Sequence, residues 1–485
     1  MPDHFYRFRS ASALLDGFHE LENQEIYFPT LKELNDPLEG YKDLVWRGDR
    51  IVWHNLFRHY VLCLLQSTFL MAVAGKEFTP EMASKIIFHT PNDLPEAPIR
   101  KLYASAYEKF FAHSSIPVLI DALASPGKSM RRDELAFYLR LVHSFALSII
   151  LELFADRGAQ LVTSATGLAE LADKTMRSIP RILDVHAPVG DLASALYFIN
   201  NNMQQQLALI HDLNNEVPDD KRPWLFVARD YPSQYVTDLE QLLYPDWHAA
   251  CFVTDPTGAA MWGHYGDGHK GICLKFKAKS GHNDEPCLDL YRVNSWSGDE
   301  NGMVPHYNFV LHPFEAVDYT SAFPEVDFFE SIGRLAIPKL NDGWYRGPNG
   351  ERSEVAARVL TGKDQWHEEY WQRFRASYRT KSAEWSQENE HRIILYSNLD
   401  SFDTTEARKL KYRFEDLTGI IFGLRTSTEH KLAAMRIVEK KCLETGREDF
   451  EFWQAHYSHG KRQIELAPLR LLKITLPSSA ADAAP

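Results

Sequence analysis

Phe5-Tyr6-Arg7-Phe8 reads as a short strand, with Tyr6 and Phe8 on one face and Arg7 on the other. Ser10 or Ser12 can cap the helix that follows, whose Leu14, Leu15, Phe18 and Leu21 fall at helical spacing. Residues 25–28 form a second strand, ended by Pro29. Asn35-Asp36-Pro37 is a turn, because Asn and Asp side chains imitate turn backbone and Pro fixes φ. The chain therefore opens as strand, helix, strand, turn. Arg7 stands out, since a buried cation needs a partner. It is either an exposed strand residue or a hook for an anion.

From about residue 51 to about residue 218, strand signals vanish and long amphipathic periods replace them. Leu135, Tyr138, Leu139, Val142, Ala146, Ile149 and Leu153 form one helical face, closed by Gly158 at a C-cap position. Leu192, Leu196, Ile199, Met203, Leu207 and Ile210 form another. The spacing predicts six or seven helices packed as a bundle. Its junctions fall at the polar segments Arg47-Gly48-Asp49-Arg50 and Val217-Pro218-Asp219-Asp220-Lys221.

Short apolar runs bounded by Gly, Pro, Asp or Asn then return at 249–254, 271–276, 314–319, 392–396, 419–422 and 469–476. Stretches 324–340, 363–385 and 427–445 read as helices. The expected fold class is α+β: a mixed or antiparallel central sheet with flanking helices, interrupted by a large all-α insertion. Residues 1–50 and 219–477 make the α+β domain, 51–218 the insertion, and 478–485 a disordered tail of small residues.

Composition sets the outer limits. Of 485 residues, 45% are hydrophobic and 25% charged, the balance of an ordinary globular protein. The 11 Trp, 21 Tyr and 28 Phe suit substantial cores and an aromatic-lined pocket. A net charge of −13 repels polyanions, so any nucleic-acid contact has to be local. Cys63, Cys251, Cys273, Cys287 and Cys442 contain no C-x-x-C pair and point to a reducing compartment. The start of the chain lacks the apolar core of a signal peptide. Apolar stretches 61–74 and 145–155 fall short of the roughly 20 residues of a membrane span. The expectation is a cytoplasmic protein without a membrane partner.

Three segments carry candidate chemistry. Trp385-Ser386-Gln387-Glu388-Asn389-Glu390-His391-Arg392 leads into an apolar strand, and alternation would put Glu388, Glu390 and Arg392 on one face. Two carboxylates that close raise one another's affinity for a proton, and Arg392 opposes that shift. Such a ladder suits hydrogen bonds to sugar hydroxyls or a developing cation. If the helix instead persisted, Glu388 and Arg392 would be an i,i+4 surface pair. Met261-Trp262-Gly263-His264-Tyr265-Gly266-Asp267-Gly268-His269-Lys270-Gly271 offers the flat faces of Trp262, His264 and Tyr265 to an aromatic base or nicotinamide ring. Its glycines either admit a ligand closely or simply shape a turn. His264, Asp267 and His269 match no strong metal signature. Asn35-Asp36-Pro37-Leu38-Glu39 adds Asp36 and Glu39 as candidate ligand residues. Arg373, Arg375, Arg379 and Lys381 are a solvated helix face or a receiver of phosphates. P-loop, G-x-S-x-G, H-E-x-x-H and G-x-G-x-x-G fingerprints are all missing.

Together with Ile26-Tyr27-Phe28 and Ile420-Ile421-Phe422-Gly423, these segments resemble bacterial domain-of-unknown-function family 2971, over roughly 3–45 and 245–440. The helical block departs from that family's shorter connection, which leaves its role, such as homo-oligomerisation, outside the resemblance. The layout is also similar to that of ADP-ribosyltransferases that consume NAD. That similarity implies Arg7 on a phosphate or ribose and Trp262 or Tyr265 on nicotinamide. It also implies Glu390, with Glu388 beside it, supporting an oxocarbenium-like transition state.

Three readings follow. The first is an ADP-ribosyltransferase-like enzyme that cleaves the N-glycosidic bond of NAD, with a protein or nucleic-acid acceptor. The second is a non-catalytic nucleotide or nucleic-acid sensor whose insertion is an effector or dimer module. The third is a nuclease using Glu388, Glu390 and Lys381 with a divalent metal.

Overall fold

Residues 4–9 do form a strand, and a sheet grows from it on both sides. The computed structural model describes residues 2–158, 167–186, 190–214, 222–299, 302–320, 322–397, 401–472 and 474. In it the eight strands run in the order Gln463–Pro468, Glu451–Ser458, Leu417–Phe422, Ile272–Lys277, His4–Arg9, Trp247–Val253, Glu390–Tyr396 and Glu315–Ala316. Leu417–Phe422 and Glu451–Ser458 are parallel, and the other pairs are antiparallel. The fold is α+β with a mixed sheet.

Alternation assigns the faces. Phe5, Phe252, Leu274, Ile393 and Ile420 enter the larger core, while Phe8, Val253, Cys273 and Ile421 enter a smaller one. The Thr428–Thr445 helix closes the larger core with Ala434, Val438 and Cys442. It starts where the Ser427 side chain accepts a hydrogen bond from the His430 N–H, and it ends at Gly446 with φ +67°.

These strands belong to one compact unit, made of residues 1–41, 246–323 and 375–485. Several expected elements differ. The first helix is broken into Ser12–Gly17 and Glu20–Asn23, because His19 between them takes φ +51°. Helix Lys363–Arg379 stops six residues early, and Thr380–Ser382 becomes a strand parallel to Asp318–Thr320. The last strand ends at Pro468, and the expected tail lies outside the described residues. A long hairpin, Pro286–Asp299 with Gly302–Pro313, went unread. Both of its faces are exposed towards the tip, so no apolar alternation marks it.

The second unit comprises residues 42–245 and 324–374. It is larger than the 51–218 block, and local contacts say why. Asp49 caps helix Arg50–Ala74 through the Ile51 and Val52 N–H groups, and its second oxygen accepts from Ser353 Oγ at 2.7 Å. Asn55 Nδ2 donates to the carbonyls of Trp344 and Arg346 at 2.8 and 3.0 Å. Stretch 324–340 is accordingly not one helix: Glu325–Asp327 pairs in parallel with Asp43–Val45, and only Ile337–Leu340 is helical. Helices from Arg50 and from Arg132 are long and apolar enough to cross a membrane, longer than their apolar stretches implied. Their apolar windows are 72% and 50% buried in this unit, as in core helices. Helix Gly190–Leu213 departs from expectation, since Leu196, Ile199, Met203, Leu207 and Ile210 face solvent. The side chain of Leu192 and the junction 217–221 lie outside the described residues.

Candidate functional site

The first strand and Trp247–Val253 share a single ladder pair, Tyr6 with Val253. Where they part, a cavity of about 280 Å3 opens, lined by Arg7, Arg9, Cys251, Phe252 and Asn35 among others. The short helix Ala259–His264 closes one side with Met261, His264 and the following Tyr265, and Glu390 completes the wall. The volume sits near the small end of the range for ligand sites.

Arg7 crosses the gap. Its guanidinium donates to the Tyr27 carbonyl at 2.7 Å and the Cys251 carbonyl at 3.5 Å, and lies 5.5 Å from the Phe252 ring. No carboxylate forms an ion pair with it among the described residues, and its Nε is buried without a partner. Burial, and then the charge of Arg9, lower its pKa to about 10, so it stays cationic at neutral pH. The expected mid-strand cation is therefore buried and borders a cavity.

Glu390 and Arg392 leave their strand on the face opposite Ile393 and Leu395. Arg392 is 1% exposed. It grips Glu390 at 2.7 and 3.0 Å, Glu39 at 2.6 and 2.8 Å, and the Tyr378 carbonyl at 3.0 Å. Lys381 Nζ donates to Glu388 at 2.7 Å and Glu390 at 3.0 Å, lies 3.3 Å from Glu39, and sits 5.0 Å from the Trp385 ring centre. Burial would raise the Glu390 pKa, but Arg392 and then Lys381 outweigh it and hold the group at about 2. Burial likewise opposes the cationic forms of Lys381 and Arg392. The carboxylates win again, and both pKa values are raised. Formally, three buried carboxylates face two cations, so the cluster carries one negative charge in excess.

Glu388 reaches this cluster from the end of the 3-10 turn Ala383–Glu388 and not from the strand. Asn389, at φ +45°, reverses the backbone between Glu388 and Glu390. Tyr265 Oη donates to Glu388 at 2.9 Å, tying the cavity wall to the ion cluster.

Other candidates fall elsewhere. Trp262 is a core residue and cannot stack on a ligand: it is fully buried, donates to the Pro256 carbonyl at 2.8 Å and meets Phe8 edge to face. His264 stands exposed at the cavity mouth near Trp385. Asp36 is a turn residue whose Oδ1 accepts from the Leu38 N–H at 2.9 Å, while its buried Oδ2 has no partner. The glycine loop is structural. Gly271 packs so closely on the first strand that a Cβ would lie 2.3 Å from the Arg9 carbonyl oxygen. His264, Asp267 and His269 form no metal-binding group among the described residues. In the basic run, Arg373 pairs with Glu369 and Arg379 with Asp318.

Two contributors escaped the sequence reading. Tyr319 Oη accepts from the Glu390 N–H at 2.9 Å, and its strand register beside Lys381 was the missed signal. The Cys251 thiol, whose residue pairs with Arg392 across the two strands, is raised in pKa by burial and then by Glu390.

Residues 261–393 match the family described as Protein of unknown function (DUF2971). The DUF2971 match begins at the helix that closes the cavity and ends one residue past Arg392, so it takes in Tyr265, Lys381, Glu388, Glu390 and Arg392. Arg7 and Glu39 lie outside it. No curated protein and no solved structure matches the chain.

Proposed function

We propose that this cavity is a glycosyl-transfer site of the ADP-ribosyltransferase kind, acting on the bond between ribose C1′ and the nicotinamide nitrogen of NAD. The observation that carries the reading is Glu390: a carboxylate kept ionised, on a cavity wall, within a cluster that has one negative charge too many. Such a cluster favours a positive guest. NAD brings a cationic nicotinamide, and the cleavage passes its charge to the ribose. The C1′–N bond breaks with its electron pair moving to the ring nitrogen, and the oxocarbenium-like carbon left behind is stabilised by Glu390. Water, or an acceptor hydroxyl, thiol or amine, then attacks C1′ and loses a proton. Arg7 supplies positive charge for the pyrophosphate, and the Tyr265 ring offers a face to nicotinamide.

One observation favours a second reading, in which the cavity binds a nucleotide without turning it over. Lys381 and Arg392 already occupy three of the acceptor positions of Glu390. The same occupancy weighs against a metal-dependent nuclease, since a divalent ion would have to displace two resident cations from the carboxylates.

Mass-resolved measurement of nicotinamide release from NAD tests the proposal, with Glu390→Gln as control and its fold checked by circular dichroism. Release by wild type alone supports the enzyme. A thermal shift by NAD without release selects the binding reading, and neither response overturns both.

A further inference from the structure

The helical unit holds a second cavity, of about 230 Å3, that the glycosyl-transfer reading does not use. Its floor is apolar and buried, formed by Leu65, Leu94, Leu102 and Phe154. Phe69 and Ile87 stand exposed among its lining residues. Two polar side chains border the cavity: Arg157 at its exposed edge, with its guanidinium donating to the Leu153 carbonyl at 3.0 Å, and Gln66, which enters the wall from within. Gln66 is 6% exposed and donates from Nε2 to the Lys85 carbonyl at 3.1 Å. That bond fixes the orientation of the amide. The opposite atom, Oε1, is buried and has no hydrogen-bond partner. A buried carbonyl oxygen left without a donor is costly, and the apolar floor of Leu65, Leu94, Leu102 and Phe154 offers none.

We infer that this cavity is a binding site for a small, mainly apolar molecule, aromatic or branched alkyl, whose one hydroxyl or N–H donates to Gln66 Oε1. Size and chemistry agree on that class. An apolar cavity of about 150 Å3 takes up benzene, so the larger volume suits a fused bicyclic ring or its alkyl equivalent. Burial of the ring supplies affinity, and the amide selects among ligands of the same shape, because an analogue without the donor leaves Oε1 unpaired. The inference is independent of any NAD chemistry.

Indole and indene make the test, since they share a shape and differ by a ring N–H against a CH2. Calorimetric titration of the full-length protein is expected to show indole binding about tenfold more tightly than indene. Gln66→Leu keeps the volume, removes the acceptor and should bring the two affinities together. Leu102→Trp fills the floor and should abolish both. The inference is overturned if wild type binds neither probe, if it binds both equally, or if Gln66→Leu keeps the preference for indole.

Discussion

Arg392 and Glu39, 353 residues apart in sequence, face each other as a buried fork, with both guanidinium termini on both carboxylate oxygens at 2.6 and 2.8 Å. The pair ties the turn after the second strand to the strand that carries Glu390. Arg392 also holds Glu390, whereas Glu39 is held by Arg392 and Lys381. Removing the arginine therefore leaves three buried carboxylates to Lys381 alone, whereas removing Glu39 leaves two carboxylates facing two cations. Arg392→Met should cost on the order of 3–5 kcal/mol in urea unfolding, and Glu39→Gln clearly less. Equal costs for the two would show that the fork is not organised around the arginine.

The two aromatic residues of the Met261–Tyr265 segment should separate cleanly in a binding assay. Trp262 fills the smaller core, so Trp262→Phe should lower the melting temperature yet leave any NAD-induced shift in place. Tyr265 lines the cavity and donates to Glu388, so Tyr265→Ala should weaken the NAD response at least tenfold, with Tyr265→Phe between the two. Loss of the response in Trp262→Phe, with Tyr265→Ala unaffected, would put the ligand elsewhere.

Much of the sheet was legible because its strands are short apolar runs between turn residues. Residues 4–9, 247–253, 272–277, 390–396 and 417–422 all appear within a few positions of where patterning put them. Patterning could not see the 286–313 hairpin, whose tip is solvated on both faces and so lacks a buried stripe. Nor could it separate Trp262 from Tyr265, three positions apart in chemistry-rich company, because which one turns inward is decided by Phe8 and Pro256. Glu39 read only as a candidate ligand residue beside a turn, and only the folded chain brings Arg392 to it. The reading of 324–340 as one helix failed for the same reason: the strand Asp43–Val45, which pairs with Glu325–Asp327, lies some 280 residues earlier.

Acid should unmake the ion cluster over a defined window. The Glu390 pKa is depressed from its ordinary 4.5 to about 2, so its stabilisation is fully present above pH 4.5 and is lost as pH falls towards 2. The shift corresponds to about 3 kcal/mol as an upper figure. Comparing urea unfolding of wild type and Glu390→Gln across that window isolates the effect, since the variant cannot titrate there. Parallel curves for the two proteins would refute an ionised, paired Glu390.

His143 titrates in the opposite chemical sense and belongs to the helical unit. Its Nε2 faces the Val227 carbonyl at 2.9 Å and must carry the hydrogen, which leaves Nδ1 to accept from Tyr60 Oη at 2.8 Å. Burial pulls its pKa from 6.5 down to about 4. Between those values the unfolded chain takes up a proton that the folded one refuses, so His143 costs stability as pH falls from 6.5 to 4. Asp238 and Asp327, raised chiefly by burial to about 7 and about 6, act against it by holding protons in the folded state. The histidine term is thus read from the difference between wild type and His143→Gln, which should narrow on acidification. Nitrogen NMR should find the Nε2–H tautomer persisting to near pH 4, and an observed pKa above 6 would mean that the ring is solvated and this packing is wrong.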